Sequence, residues 1–299
     1  MKRKALWIAV AFGLLTAFVA GQAQEQYLDV YTAQVKPEKR AEFDAIAKKM
    51  VAANRQSKGD IWLTMETVYG PGNRVTFVST RQSYGDAEKG SEAFEAAMQK
   101  TLGKAGMDKL FQEYSQCLVN YRNEFRRRRW DLSSNPPADA AALAKMLGES
   151  RWLRTNVIHV RPGQSDAFEG LLKDIKAARE KASPAVTTLV SQAVAGQEGT
   201  VFYVTMLANS MAAFDNIPTI QSVLGAEGYA HYLKTGSEVV ANTETVINHF
   251  LPELSNPAPE VVAAAPDYWT PKTELVAKAP TTMKSVVNAA ETSKIDEKK

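Results

Sequence analysis

The sequence predicts an α+β fold in which two tandem β-α-β-β-α-β repeats close on one another as an intramolecular barrel. Three observations lead there. The first is ordered self-similarity. Val35-Lys36-Pro37-Glu38-Lys39-Arg40-Ala41-Glu42-Phe43 resembles Val160-Arg161-Pro162-Gly163-Gln164-Ser165-Asp166-Ala167-Phe168 at an offset of 125. Leu63 to Gly70 matches Leu189 to Gly196, and Val75-Thr76-Phe77-Val78-Ser79 matches Val201-Phe202-Tyr203-Val204-Thr205, both at 126. Ser134-Asn135-Pro136 and Ser255-Asn256-Pro257 end the two copies at 121. A near-constant offset kept over four segments is the mark of duplication. The second observation is a hydrophobic period that switches between two and 3.6 in the same order in each copy. The third is a consequence of layering: an antiparallel sheet with helices on one face leaves the other bare, and a second copy can cover it.

The elements follow in order. Residues 27–35 alternate and are rich in Tyr, Val and Thr, which suits a strand. Pro37 opens a helix, since its fixed φ fits a first turn. Phe43, Ile46 and Met50 then form one apolar face. Strands over 61–69 and 74–81 flank the turn tetrad Gly70-Pro71-Gly72-Asn73. A helical region runs from Asp86 to Gln116 with a break near Gly103 and Gly106, and Leu118 to Arg126 alternates as the closing strand. In the second copy a strand over 153–160 leads to a helix with Phe168, Leu171, Leu172 and Ile175 on one face. Strands over 186–194 and 200–207 flank Gly196-Gln197-Glu198-Gly199, a helical stretch covers 210–236, and 239–250 is the last strand. Each copy reads as a ferredoxin-like unit. The domains expected are 24–137 and 138–257.

The strand followed by Val-x-Pro-(Gly/Glu)-(Lys/Gln)-x-x-x-Phe and a helix resembles the dimeric α+β barrel superfamily, with its antibiotic-biosynthesis monooxygenase-like and NIPSNAP-like members. The resemblance spans residues 27–255. It implies two ferredoxin-like repeats forming an intramolecular dimeric α+β barrel. It also implies a ligand cavity inside the barrel or between sheet and helices. Relatives of this kind include cofactor-free oxygenases and haem-handling enzymes, so it does not settle an activity.

The chain ends carry a different message. Met1-Lys2-Arg3-Lys4, an apolar run from Ala5 to Ala20, and Gly21-Gln22-Ala23 form the three parts of a secretory signal peptide over 1–23. A periplasmic or secreted location follows, with no stable membrane span after cleavage. The first 23 residues hold three basic and no acidic side chains, so the remainder balances 33 against 33. A polyanion-binding role therefore has no overall charge behind it, and nucleic acid is not an expected partner. Cys117 stands alone in the sequence, so no internal disulfide is available, and its aromatic neighbours suggest a buried thiol. Residues 258–299 are rich in Pro, Ala and Lys and read as a disordered tail, with Tyr268-Trp269 able to dock on the domain.

Alternation on the strands nominates a pocket. Val35 and Val160 should share the helix-packed face with Ala33 and Ile158, leaving Gln34 and His159 at equivalent positions on the other face. Trp62, Arg81 and Tyr203 add aromatic and polar candidates, with Glu66 a partner for Arg81. His231, on the second helix of the second copy, is a candidate only through the resemblance, which implies a helical haem ligand. Three scattered histidines and one cysteine give no metal constellation, so no cofactor is expected apart from this haem option. Arg126-Arg127-Arg128-Arg129 reads as a solvated strand end. No nucleotide loop, nucleophile elbow or zinc-protease motif occurs. The expected function is small-ligand binding in the barrel. A cofactor-independent monooxygenase or haem-handling enzyme, and an envelope interaction protein, are the alternatives. The architecture leaves room for a homodimer.

Overall fold

A computed structural model describes residues 26–182 and 186–270. The expected signal segment over 1–23 and residues 271–299 of the expected tail lie outside the described residues. The strands are β1 Tyr27–Val35, β2 Leu63–Tyr69, β3 Arg74–Arg81, β4 Leu118–Arg128, β5 Trp152–Val160, β6 Leu189–Ala195, β7 Thr200–Ala208 and β8 Val240–Phe250. They form a closed barrel in the order β1-β3-β2-β8-β5-β7-β6-β4, every neighbour antiparallel. The order β4-β1-β3-β2 recurs as β8-β5-β7-β6. The two four-strand sets join through β2–β8 and β4–β6, so neither set keeps a free edge.

The long helices lie outside. They are α1 Arg40–Gln56, α2 Tyr84–Gln116, α3 Ala140–Glu149, α4 Ser165–Ala182 and α5 Ile220–Val239. Phe43, Ile46 and Met50 of α1 pack with Met98, Met107 and Leu110 of α2 on Ala33, Val35 and Val75. Phe168, Leu171 and Leu172 of α4 pack on Val160, Val190 and Phe202 in the same way. Each large apolar side chain buried here contributes about 1.5–3 kcal/mol. Ser83 caps α2 by accepting the Asp86 amide, and Thr219 caps α5 by accepting the Ser222 amide. The break expected near Gly103 is present: its φ of 67° kinks α2, and Gly225 at 69° does the same in α5. Among the described residues no helix is long and apolar enough to cross a membrane.

Two stretches differ from the sequence reading. No element was expected between 131 and 151, yet α3 forms there, capped by Asp139 on the Ala142 amide. The tail is not structureless from 258. Helices α6 Pro259–Ala264 and α7 Pro266–Trp269 pack on α3, and Trp269 is fully buried. Its indole Nε1 donates to the Gly148 carbonyl at 2.9 Å. Prolines 259 and 266 start these helices instead of preventing them, because a first-turn amide needs no partner.

Candidate functional site

Alternation sends Leu28, Val30, Thr32 and Gln34 of β1 into the barrel, with Arg74, Thr76, Val78 and Thr80 of β3 and Leu153, Thr155, Val157 and His159 of β5. Together with the other strands, and with Trp62, Arg81 and Gly90 beneath α2, they line a cavity of about 880 Å³. One end is closed. There Leu63, Met65, Leu153, Leu207 and Phe250 meet Ala144 and Leu147 of α3, Val261 of α6 and Trp269 of α7. The other end is a mouth whose strand-end residues Asn120, Arg122 and Glu244 are exposed. Exposed polar residues thus ring the mouth and apolar side chains cover the closed end, with Arg128 its charged exception, the profile of a pocket for a partly apolar small molecule.

Gln34 and His159 line this cavity at equivalent points of the mouth, as alternation predicted. Each stands at a break in strand register: between Gln34 and Val35 on the β4 side, and between His159 and Val160 on the β8 side. A bulge there turns the strand end and re-aims the rim side chain. Gln34 Nε2 donates to the Gly72 carbonyl at 2.8 Å, and Arg74 Nε donates to Gln34 Oε1 at 3.3 Å. Arg122 donates to Gln197 Oε1 at 3.0 Å.

Tyr203 also faces inward. Its hydroxyl donates to Glu124 Oε2 at 2.6 Å and accepts from Gln197 Nε2 at 2.9 Å. The Arg126 guanidinium lies 3.5 Å above its ring and is ion-paired with Glu124 at 2.8 Å. Burial pushes the phenol well above its ordinary range, so it stays a donor at neutral pH. Glu124 accepts from Arg126, Tyr203 and Gln197, which commits both its oxygens. This cluster holds side chains in place inside the wall and has no free base.

Of the other sequence candidates, Trp62 and Arg81 border the cavity from its helix side, and His231 lies outside it. Trp62 is buried on the helix side, edge-on to Phe94, with its Nε1 donating to the Leu254 carbonyl at 2.8 Å. Arg81 also points toward the helices and is forked onto Asp60 by two bonds of 2.6 Å, with Asp29 at 3.4 Å. Its expected partner Glu66 is held instead by Arg40 at 2.8 Å. Arg81 lies on β3 as read, whereas Trp62 makes only an isolated bridge to Asn256 just before β2. Both side chains pack toward α2 and border the cavity from that side. His231 is exposed on α5, near only Thr235 at 3.5 Å.

The reading of Arg126 to Arg129 as a solvated strand end is also corrected. Strand parity splits the run: Arg126 and Arg128 enter the barrel, whereas Arg129 is buried on Asp131 and Glu169. Arg128 is the site residue that the sequence reading missed. Its Nε is buried without a partner among the described residues, as are Arg127 Nε and Gln26 Oε1. Desolvation, then the like charge of Arg126, pulls its guanidinium down to about 10. The signal was present in the sequence, since 126 and 128 share the parity of Asn120 and Arg122.

A second cleft of about 530 Å³ lies between the outer face of β5 to β7 and helices α4 and α5. Ile158, Phe168, Leu172 and Tyr232 line it with Arg154 and Arg179. Its lining contains no histidine or cysteine, and His231 is not part of it. A haem seated in this cleft would find no imidazole in its lining. Among the described residues no three His, Cys, Asp or Glu side chains gather to hold a metal ion. Cys117 is buried, as expected, with its thiol against the Glu113 carbonyl at 3.4 Å.

No protein-family model and no curated protein matches the chain. Solved structures do resemble it in arrangement. An anthrone oxidase-like protein aligns at a TM-score of 0.48 and 12% identity, covering 77% of this chain and 92% of the other. The chlorite dismutase of Candidatus Nitrospira defluvii, solved with imidazole, aligns at 0.44 and 12% identity, covering 76% and 92%. Similarity at this level carries no information about activity.

Proposed function

We propose that this chain is an exported small-molecule binding protein, built from two fused copies of one β-α-β-β-α-β unit over 24–137 and 138–257. The ligand would occupy the barrel. One observation carries this reading: a cavity of about 880 Å³ with an exposed polar mouth and a buried apolar floor. That volume lies within the range of drug-sized ligand sites. Binding is favoured over catalysis because the buried acid in the wall, Glu124, is already engaged by three donors. Export rests on the basic, apolar and small-residue order of the first 23 residues.

The test is uptake of a neutral apolar fluorophore, N-phenyl-1-naphthylamine. Saturable binding is expected, at one site per chain. Val157→Phe, which fills the mid-barrel, should abolish it while circular dichroism stays unchanged. Absence of uptake by the unaltered protein overturns the binding reading. Mass spectrometry of the protein recovered from outside the cytoplasm should find Gln24 as first residue; an intact N-terminus there overturns the cleavage assignment.

A further inference from the structure

We propose that the barrel ligand is a monocarboxylate, whose acid group the Arg128 guanidinium binds at the closed end while its apolar body extends toward the mouth. This rests on the barrel-binding reading above and names the class of molecule that fits it.

The argument starts from charge. Arg128 enters the cavity from the last residue of β4, beside Leu28, Leu189 and Ser191. Among the described residues no carboxylate pairs with it, and no side chain or carbonyl accepts from its Nε. The adjoining Gln26 carries its own unpaired Oε1, so it does not serve the guanidinium. A cation taken out of water without a partner is expensive, and folded chains avoid the arrangement unless something else supplies the anion. This chain does supply it at other buried or half-buried arginines. Arg81 has Asp60, Arg126 has Glu124, and Arg129 has Asp131 and Glu169. Arg179, in the outer cleft, has no acid, but it donates to Thr188 at 3.3 Å. Among the described residues Arg128 has no acid: its guanidinium meets only the Trp130 ring, 5.4 Å away, and borders the cavity.

The ligand class follows from the surroundings. A guanidinium offers parallel donors that match the two oxygens of a carboxylate. Only one uncompensated positive charge faces the floor, because Glu124 already neutralises Arg126. A phosphate dianion would remain half-paired there, whereas a monoanion is balanced. The adjoining wall carries an apolar band, Leu28, Leu63, Leu153, Leu189 and Phe250 near the floor, then Val30, Val78 and Val157, interleaved with the hydroxyls of Thr80, Thr155 and Ser191. An alkyl or aryl carboxylic acid matches both features.

Displacement of N-phenyl-1-naphthylamine by decanoate, decanol and decyl phosphate tests this on the full-length protein and its Arg128→Met, Arg128→Lys and Arg179→Met variants. Decanoate is expected to bind at least about tenfold more tightly than decanol to the wild type. That preference should vanish in Arg128→Met and persist in Arg179→Met. Arg128→Lys keeps the charge but not the fork, so most of the preference should be lost; it also serves if the methionine variant does not fold. Ligand-free Arg128→Met should melt above the wild type, since an uncompensated charge is removed. Equal binding of decanoate and decanol, with fluorophore uptake intact, overturns the carboxylate assignment and leaves the barrel reading standing. Tighter binding of decyl phosphate than decanoate overturns the monoanion argument. No uptake of any compound overturns both. A lowered melting point with unchanged decanoate preference would assign Arg128 to the fold instead.

Discussion

A methyl group on residue 90 would collide with the guanidinium of Arg81, so Gly90 and Arg81 pack as one unit at the junction of α2 and β3. The glycine provides the space in which that guanidinium reaches Asp60 through two bonds of 2.6 Å. Arg81 is almost wholly buried and Asp60 nearly so, so this pair is shielded from solvent.

Gly90→Ala should therefore displace Arg81 and leave Asp60 unpaired. Breaking a buried pair costs about 3–5 kcal/mol. Urea denaturation should show a loss of about this size for Arg81→Met, and at least about 1 kcal/mol for Gly90→Ala. Barrel ligand uptake should be retained in both, because Arg81 faces the helices.

A pH effect should arise at Arg129. It donates to Glu169 at 2.7 Å and to Asp131 at 2.7 Å, and these bonds hold both carboxyls below their ordinary values of 4.5 and 3.8. A depressed acid stabilises the fold above its unfolded pKa and loses that contribution as pH falls through its folded one. Stability should thus be constant above about pH 5 and decline below 4.5. Glu169 carries most of it, since Asp131 is half exposed. Glu169→Gln should be less stable than wild type at pH 6, and the difference should shrink as pH falls below 4.5, by urea denaturation. A constant difference across that range would exclude the linkage.

Trp269 closes the floor of the barrel from the far end of the described chain. Trp269→Ala should cost about 3–5 kcal/mol, the usual range for a buried tryptophan. It should also admit solvent to the floor. Hydrogen exchange of the Phe250 and Leu251 amides is the measurement, and protection equal to wild type would contradict the plug.

His231 should be dispensable. His231→Ala is expected to change stability by less than about 0.5 kcal/mol, as for an exposed side chain with one weak contact. Haemin titration should give the same Soret spectrum with and without the substitution. A Soret shift that depends on His231 would restore the haem reading.

Much of the fold was legible in order along the chain. Strand parity and helical period are local properties, so the eight strands, helices α1, α2, α4 and α5, and the break near Gly103 could be read directly. So could the inward positions of Gln34 and His159, because a strand alternates by geometry. Helices α3, α6 and α7 were not legible. Each is short and is held by contacts distant in sequence, such as Trp269 on Gly148, which no local period encodes.

The pocket divides along the same line. Local sequence determined which residues share a face of each strand: Trp62 with Glu66, Arg81 with Phe77, Gln34 with Thr32. It left open which face each strand turns inward, and where a run of four arginines would lie. Closure of the barrel decided both. Joining β2 to β8 and β4 to β6 turned one face of every strand inside. This placed Trp62 and Arg81 under the helices, and it carried Arg128 to an apolar floor. Charge patterning along a sequence marks a residue as costly to bury. Only the tertiary structure, which brings distant strands within a few ångströms, shows whether an acid waits there to meet it.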